Sequence, residues 1–237
     1  MFDLTIERRQ PIVNQTAFID RIGPRAQLYD DLVISDPMTA SSQTKPQPKT
    51  DRGERTRQKI LAAAGSEIGK RGFSVTSISD ITAAAGVGQG TFYIYFQSKE
   101  DVLRELVLQM GRELRQHLSD ATTGTKTRLD AEREGLLAFI EFVRANPGLY
   151  RIVEESQFVD EAVYRRYYMD FAATYRAALQ AAEARGEISR GSAEVRAWAL
   201  MGMAVFLGQR YGLWDVATPL EDVVGPAVDL IGRGMQP

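Results

Sequence analysis

After about residue 50, apolar residues recur every three or four positions, the spacing of a helix with one buried face. Ile60, Leu61, Ala64 and Ile68 form such a face between Arg52 and Arg71; Gly72 ends the segment and Phe73 packs back on it. A two-turn helix is predicted from Ile78, with Ile78, Ile81 and Ala85 on its inner stripe. Ser77 caps it, because its hydroxyl can accept from the Asp80 N–H while the Asp80 carboxylate reaches back to Ser77. Gly86 supplies the left-handed residue that ends it, and Val87 plugs the corner. Roughly Gln89 to Tyr95 then reads as a further short helix, with Phe92 and Phe96 facing inward and Gln89, Gly90, Thr91, Tyr93 and Tyr95 outside. Ser98, with Asp101 closing a second capping box, opens a long helix carrying Val102, Leu103, Leu106, Val107, Met110, Leu114 and Leu118. Thr122-Thr123-Gly124 ends it.

The same periodicity predicts only helices from Thr125 to Gly234. One spans about Arg128 to Ala145 and stops at Asn146-Pro147. A short one follows from Gly148 to about Glu155, and a third, Asp160 to Arg185, is crowded with tyrosines. Ala193 to Tyr211 is apolar around most of its circumference and is expected to be buried on every side. The last helix runs from Leu220 to Gly232. The fold class is therefore all-α.

Two short helices joined by a glycine-containing turn make the helix-turn-helix unit, whose second helix enters the DNA major groove. The second helix here also carries too many exposed aromatics for an ordinary surface. From Arg55 to Leu103 the chain resembles the DNA-binding domain of the TetR family of bacterial transcriptional regulators. Asp80-Ile81, Ala85-Gly86-Val87, Gly90-Thr91-Phe92-Tyr93, Tyr95-Phe96 and Ser98-Lys99-Glu100-Asp101 carry the likeness. A serine or threonine commonly stands in that family where this chain has Gly88, and a basic or polar residue where it has Ile94.

The resemblance implies an N-terminal three-helix helix-turn-helix domain (51–101), a connecting helix (102–124), and a larger C-terminal effector-binding and dimerisation domain (125–237). It also implies that Thr91, Tyr93, Tyr95 and Lys99 touch the DNA backbone. Arg55 and Lys59, on the outer face of the first helix, suit a phosphate strand, while Gln89, Gly90 and Ile94 would face bases. The final two helices, about 193–211 and 220–232, would pair with their copies in a homodimer. A dimer is needed because one two-turn helix reads too few bases, whereas two related by a twofold axis read a palindromic operator.

Charge sharpens this reading. The net charge of −2 gives no global positive field. Between Lys45 and Arg71, however, eight basic residues stand against three acidic ones, directly ahead of the helix-turn-helix. Residues 1–50 have a mixed polar, proline-containing composition that cannot bury enough surface to fold alone, and are expected to be a poorly ordered extension. Met38 offers a second start, so residues 1–37 are expected to be dispensable or to reflect an overlong start assignment. No secretory leader or spanning apolar run is visible, which points to the bacterial cytoplasm and away from a membrane.

An enzyme is the competing reading. There is no cysteine, and the only histidine, His117, cannot build a His-rich metal site, so neither a metal nor another cofactor is expected. Gly86-Val87-Gly88-Gln89-Gly90 is half of a phosphate-binding loop, but its preceding strand and following lysine are missing. A pure protein-interaction bundle would leave Tyr93, Tyr95 and Lys99 beside a basic arm unexplained. In the C-terminal domain the candidate effector pocket is Arg151, Glu155, Phe158, Tyr164, Tyr168, Phe171, Tyr175, Trp198 and Met201, flat apolar surface mixed with a few polar groups. That mixture suits a large amphipathic ligand, an acyl-CoA or other fatty or aromatic acid derivative.

Overall fold

The computed structural model describes residues 50–236, so the expectations for residues 1–49 lie outside the described residues. Among the described residues there are nine helices and no strand. They are α1 (Asp51–Arg71), α2 (Ile78–Ala85), α3 (Gln89–Tyr95), α4 (Lys99–Thr122), α5 (Arg128–Ala145), α6 (Pro147–Val159), α7 (Glu161–Ala184), α8 (Ala193–Leu207, continued by a π-helical segment, Gly208–Trp214) and α9 (Glu221–Met235). Thr50 serves as the N-cap of α1, its hydroxyl accepting from the Gly53 N–H at 3.1 Å.

The N-terminal domain is built on α1, which packs on α2 and α4, while α2 packs on α3. Ile60, Leu61, Ile68, Ile81, Phe92 and Leu103 are fully buried. The 24 residues of α4 span roughly 36 Å at 1.5 Å per residue, long enough to serve both domains. Its first turns bury Val102 and Leu103, and its later turns bury Met110 and Leu114 against the C-terminal helices. There α4 packs on α5, α6 and α7, and α7 on α8. Leu179, Ala182, Ile188, Ala197, Leu200, Ile231 and Met235 form a core shared by α7, α8 and α9.

Two expectations need correction. The second capping box is displaced by one residue: Ser98 Oγ accepts from the Asp101 N–H at 3.1 Å, but the Asp101 carboxylate accepts from Gln97 N–H instead. The short helix after Asn146 is a full turn longer than expected. Pro147 starts it, where a missing N–H costs nothing, and fully buried Ser156 continues it by donating back to the Val153 carbonyl at 2.6 Å. Within one chain, α8 is buried along one side. Ala197 and Leu200 are buried, but Val195, Trp198 and Phe206 are exposed, as is Trp214 beyond them.

Candidate DNA-reading surface and effector cleft

The helix-turn-helix is set by local bonds. Asp80 N–H donates to Ser77 Oγ at 3.1 Å, Ser77 N–H donates to Asp80 Oδ2 at 2.8 Å, and Arg71 donates to the same oxygen at 3.0 Å. The Ser77 bonds, and then Arg71, hold the Asp80 carboxyl well below the usual carboxylate range. At the other end of α2, Gly86 adopts φ 65°, the left-handed cap, and Val87 N–H closes back on the Thr82 carbonyl at 3.0 Å. Seven residues are too few to hold a helix by propensity. It is Phe92, fully buried and 5.7 Å from the Phe96 ring, that anchors α3 and fixes which side faces out.

On that outer side lie exposed Gln89, Gly90, Tyr93 and Ile94, with Thr91 and Tyr95 half-buried. Gln89 is partly committed: its Nε2 donates to Ser79 Oγ at 2.6 Å, which leaves Oε1 as the outward acceptor. Arg55 and Lys59 are exposed on α1, and neither makes an ion pair among the described residues. Arg57, by contrast, is bound to Glu105 at 3.2 Å and lies over the Phe96 ring. Lys99 is also engaged within the domain. Its Nζ donates to the Phe73 carbonyl at 2.5 Å and to the Thr76 carbonyl at 2.7 Å, and it sits 4.2 Å from the Phe73 ring centre. Two of its three N–H donors are thus spent bracing the α1–α2 turn to α4. Sequence spacing gave no signal of this, since Lys99 and Phe73 are 26 residues apart.

Four of the candidate pocket residues come together in an open cleft of about 430 Å³ between α7 and α8: Tyr164, Tyr168, Trp198 and Met201. Arg165, Met169, Gly202 and Val205 complete its lining. Arg165 is exposed at its edge and has no ion pair among the described residues. Tyr164 and Tyr168 meet edge to face with centres 5.0 Å apart. Burial pushes the Tyr150, Tyr167 and Tyr168 hydroxyls up, so they remain protonated donors, and it pushes the Glu154 carboxyl up as well.

The other five pocket candidates lie elsewhere. Phe171 packs on Tyr167, with Arg115 over its ring, and Tyr175 donates to buried Glu132 beneath Arg128. They share the stripe of Tyr164 and Tyr168, but the stripe runs roughly 16 Å along α7 and its neighbours change from α8 to α4 and α5. Phe158 is 87% exposed at the end of α6. Arg151 and Glu155 are on α6 as well, against the N-terminal domain rather than the cleft.

Residues 60–106 match the family model described as bacterial regulatory proteins, tetR family. Those residues form a TetR-family helix-turn-helix domain. The chain is 28% identical over 192 residues to the HTH-type transcriptional regulator YdgC of Bacillus subtilis, a match covering 78% of this chain and 95% of that one. The same fold occurs in the fatty acid degradation regulator FadR of Bacillus halodurans (TM-score 0.66, 19% identity, 78% of this chain and 96% of that one). It occurs again in a TetR-family regulator of Pectobacterium atrosepticum (TM-score 0.64, 21% identity, 80% and 98%).

This TetR-family domain meets the C-terminal helices through α1 and α6. The helices approach so closely at Gly69 and Gly148 that a Cβ on Gly69 would stand 2.9 Å from Gly148 Cα. Beside that contact, Arg151 donates to Glu155 at 2.7 Å and to the Lys70 carbonyl at 3.4 Å. Glu155 in turn accepts the Phe73 N–H. One residue before Arg151 on the same helix, buried Tyr150 donates at 3.4 Å to the carbonyl of Val205, a cleft residue. No helix among the described residues is long and apolar enough to cross a membrane.

Proposed function

We propose that the chain is a ligand-responsive repressor that binds a palindromic operator as a homodimer and is released by a small-molecule effector. Arg55, Thr91, Tyr93 and Tyr95 hold phosphates in this reading, Gln89, Gly90 and Ile94 face bases, and Lys99 adds its one remaining N–H. Two copies pair through α8 and α9, about residues 193–211 and 220–232. The exposed apolar residues Val195, Phe206, Trp214 and Leu230 on these elements support that pairing, because such a surface is costly to leave in water.

The observation that carries the switch is that α6 touches both ends of it. Arg151 and Glu155 grip the α1–α2 turn, while Tyr150 bonds to the Val205 carbonyl at the cleft. An effector that shifts α8 at Val205 would move α6, and with it the recognition helix, giving a state of lower operator affinity. The cleft volume of about 430 Å³ is within the range of small-molecule sites. Its apolar walls, with an unpaired arginine at the edge, favour an amphipathic fatty or aromatic acid, free or as its acyl-CoA derivative. The protein would work in the bacterial cytoplasm, with double-stranded DNA as its other partner and no metal or cofactor.

A gel shift at fixed salt, comparing DNA that flanks the protein's own gene with random DNA, tests the reading. Preference by about a thousandfold or more supports it. Equal, salt-sensitive binding to flanking and random DNA alike overturns that operator assignment.

A further inference from the structure

Ile94 is the odd residue of α3. It is 65% exposed, whereas Phe92, two positions earlier, is fully buried. The remaining outward side chains of this helix are polar or carry a hydroxyl: Gln89, Thr91, Tyr93 and Tyr95. Ile94 contributes little to the domain core, yet it holds a branched apolar side chain in water.

Its setting narrows what it can meet. A helical side chain leans toward the preceding turn, so Ile94 lies over Gly90, one turn earlier. A Cβ at Gly90 would meet nothing within 4 Å, and the same is true at Gly88. The surface before Ile94 is therefore bare backbone, which permits close approach to a flat partner. Most groups on the base edges of a major groove are hydrogen-bond donors or acceptors; the thymine C5-methyl is the apolar one. An isoleucine can offer nothing to the former and fits the latter.

We propose that Ile94 reads the C5-methyl of a thymine in each operator half-site. The proposal rests on sequence-specific binding by α3 and deepens that reading by naming the base feature recognised.

The test begins by selecting the duplexes that the full chain binds from a random pool. The preferred duplex is then resynthesised with deoxyuridine in place of each thymine in turn, which removes only the methyl group. Wild type should lose about fourfold in affinity at one thymine of a half-site, the effect of one buried methyl, and about sixteenfold when both half-sites are changed. Ile94→Ala should lose that sensitivity, Ile94→Val should keep it, and all three proteins should melt at the same temperature. Wild type indifferent to every deoxyuridine, or a methyl effect that persists undiminished in Ile94→Ala, overturns the role of Ile94. A pool that yields no enriched sequence overturns the underlying reading of sequence-specific binding and this inference with it.

Discussion

Glu155 of α6 accepts the backbone N–H of Phe73 at 2.5 Å, across 82 residues of chain, at the corner where α1 turns toward α2. Gly72 makes the approach possible. Its φ of 93° is left-handed, and a Cβ there would stand 2.9 Å from Arg151 Nη2 and 3.1 Å from Glu155 Oε1. The recognition unit is thereby tied to a helix whose other face reaches the cleft. Glu155→Gln keeps the shape and weakens the bond, costing about 1 kcal/mol at this partly exposed site, or roughly 2–4 °C in melting temperature. Operator binding should remain, while release by an acid effective on the wild type should need more of it. Gel shifts across an effector titration read this directly, and an unaltered titration would remove Glu155 from the coupling.

Lys99 can act as a brace or as a phosphate contact, and salt dependence separates the roles. Lys99→Met removes two charge-assisted bonds to the Phe73 and Thr76 carbonyls, so stability should drop by about 2 kcal/mol. If bracing is its main duty, the slope of log affinity against log salt should hardly change. A phosphate contact would lower the slope by about one for each subunit. Tyr93→Ala serves as the comparison, with a loss of similar size on all DNA sequences.

Asp80 gives the stability of the helix-turn-helix a pH signature. Its folded carboxyl is held low, by the Ser77 bonds first and then Arg71, so its stabilisation is present above the unfolded carboxylate range near pH 4. It is lost as pH falls through the lower folded value. Urea unfolding of wild type and Asp80→Asn should therefore differ most near neutral pH, with the gap closing below about pH 4. A gap that stays constant down to pH 2 would mean that the ionised carboxylate is not what stabilises the cap.

Phe206 is 72% exposed on α8, so a charge there should leave the fold intact. In the proposed interface, Phe206→Glu would bury an unpaired carboxylate, a penalty of several kcal/mol. Sedimentation velocity at micromolar concentration should then show a monomer, and operator affinity should fall with it. A dimer that persists, with normal binding, would move the interface off this face.

The helix-turn-helix was legible because its determinants are local. Ser77 and Asp80 close their box three residues apart, Gly86 supplies its own backbone conformation, and Phe92 and Phe96 select a face by spacing alone. The order and type of the helices followed from the same periodicity. Tertiary structure decided which neighbour each face meets, and periodicity carries no information about that. Tyr164 and Phe171 share a stripe but face α8 and α4 respectively. Arg151 and Glu155 read as pocket residues but belong to the seam with α1, and Lys99 faces the carbonyls of a turn 23 to 26 residues away. The circumference of α8 is apolar by composition, yet only folding determined that Ala197 and Leu200 turn inward while Phe206 is left outside. A helix sequence gives the direction of each side chain about its own axis, and only the packed chain supplies what lies there.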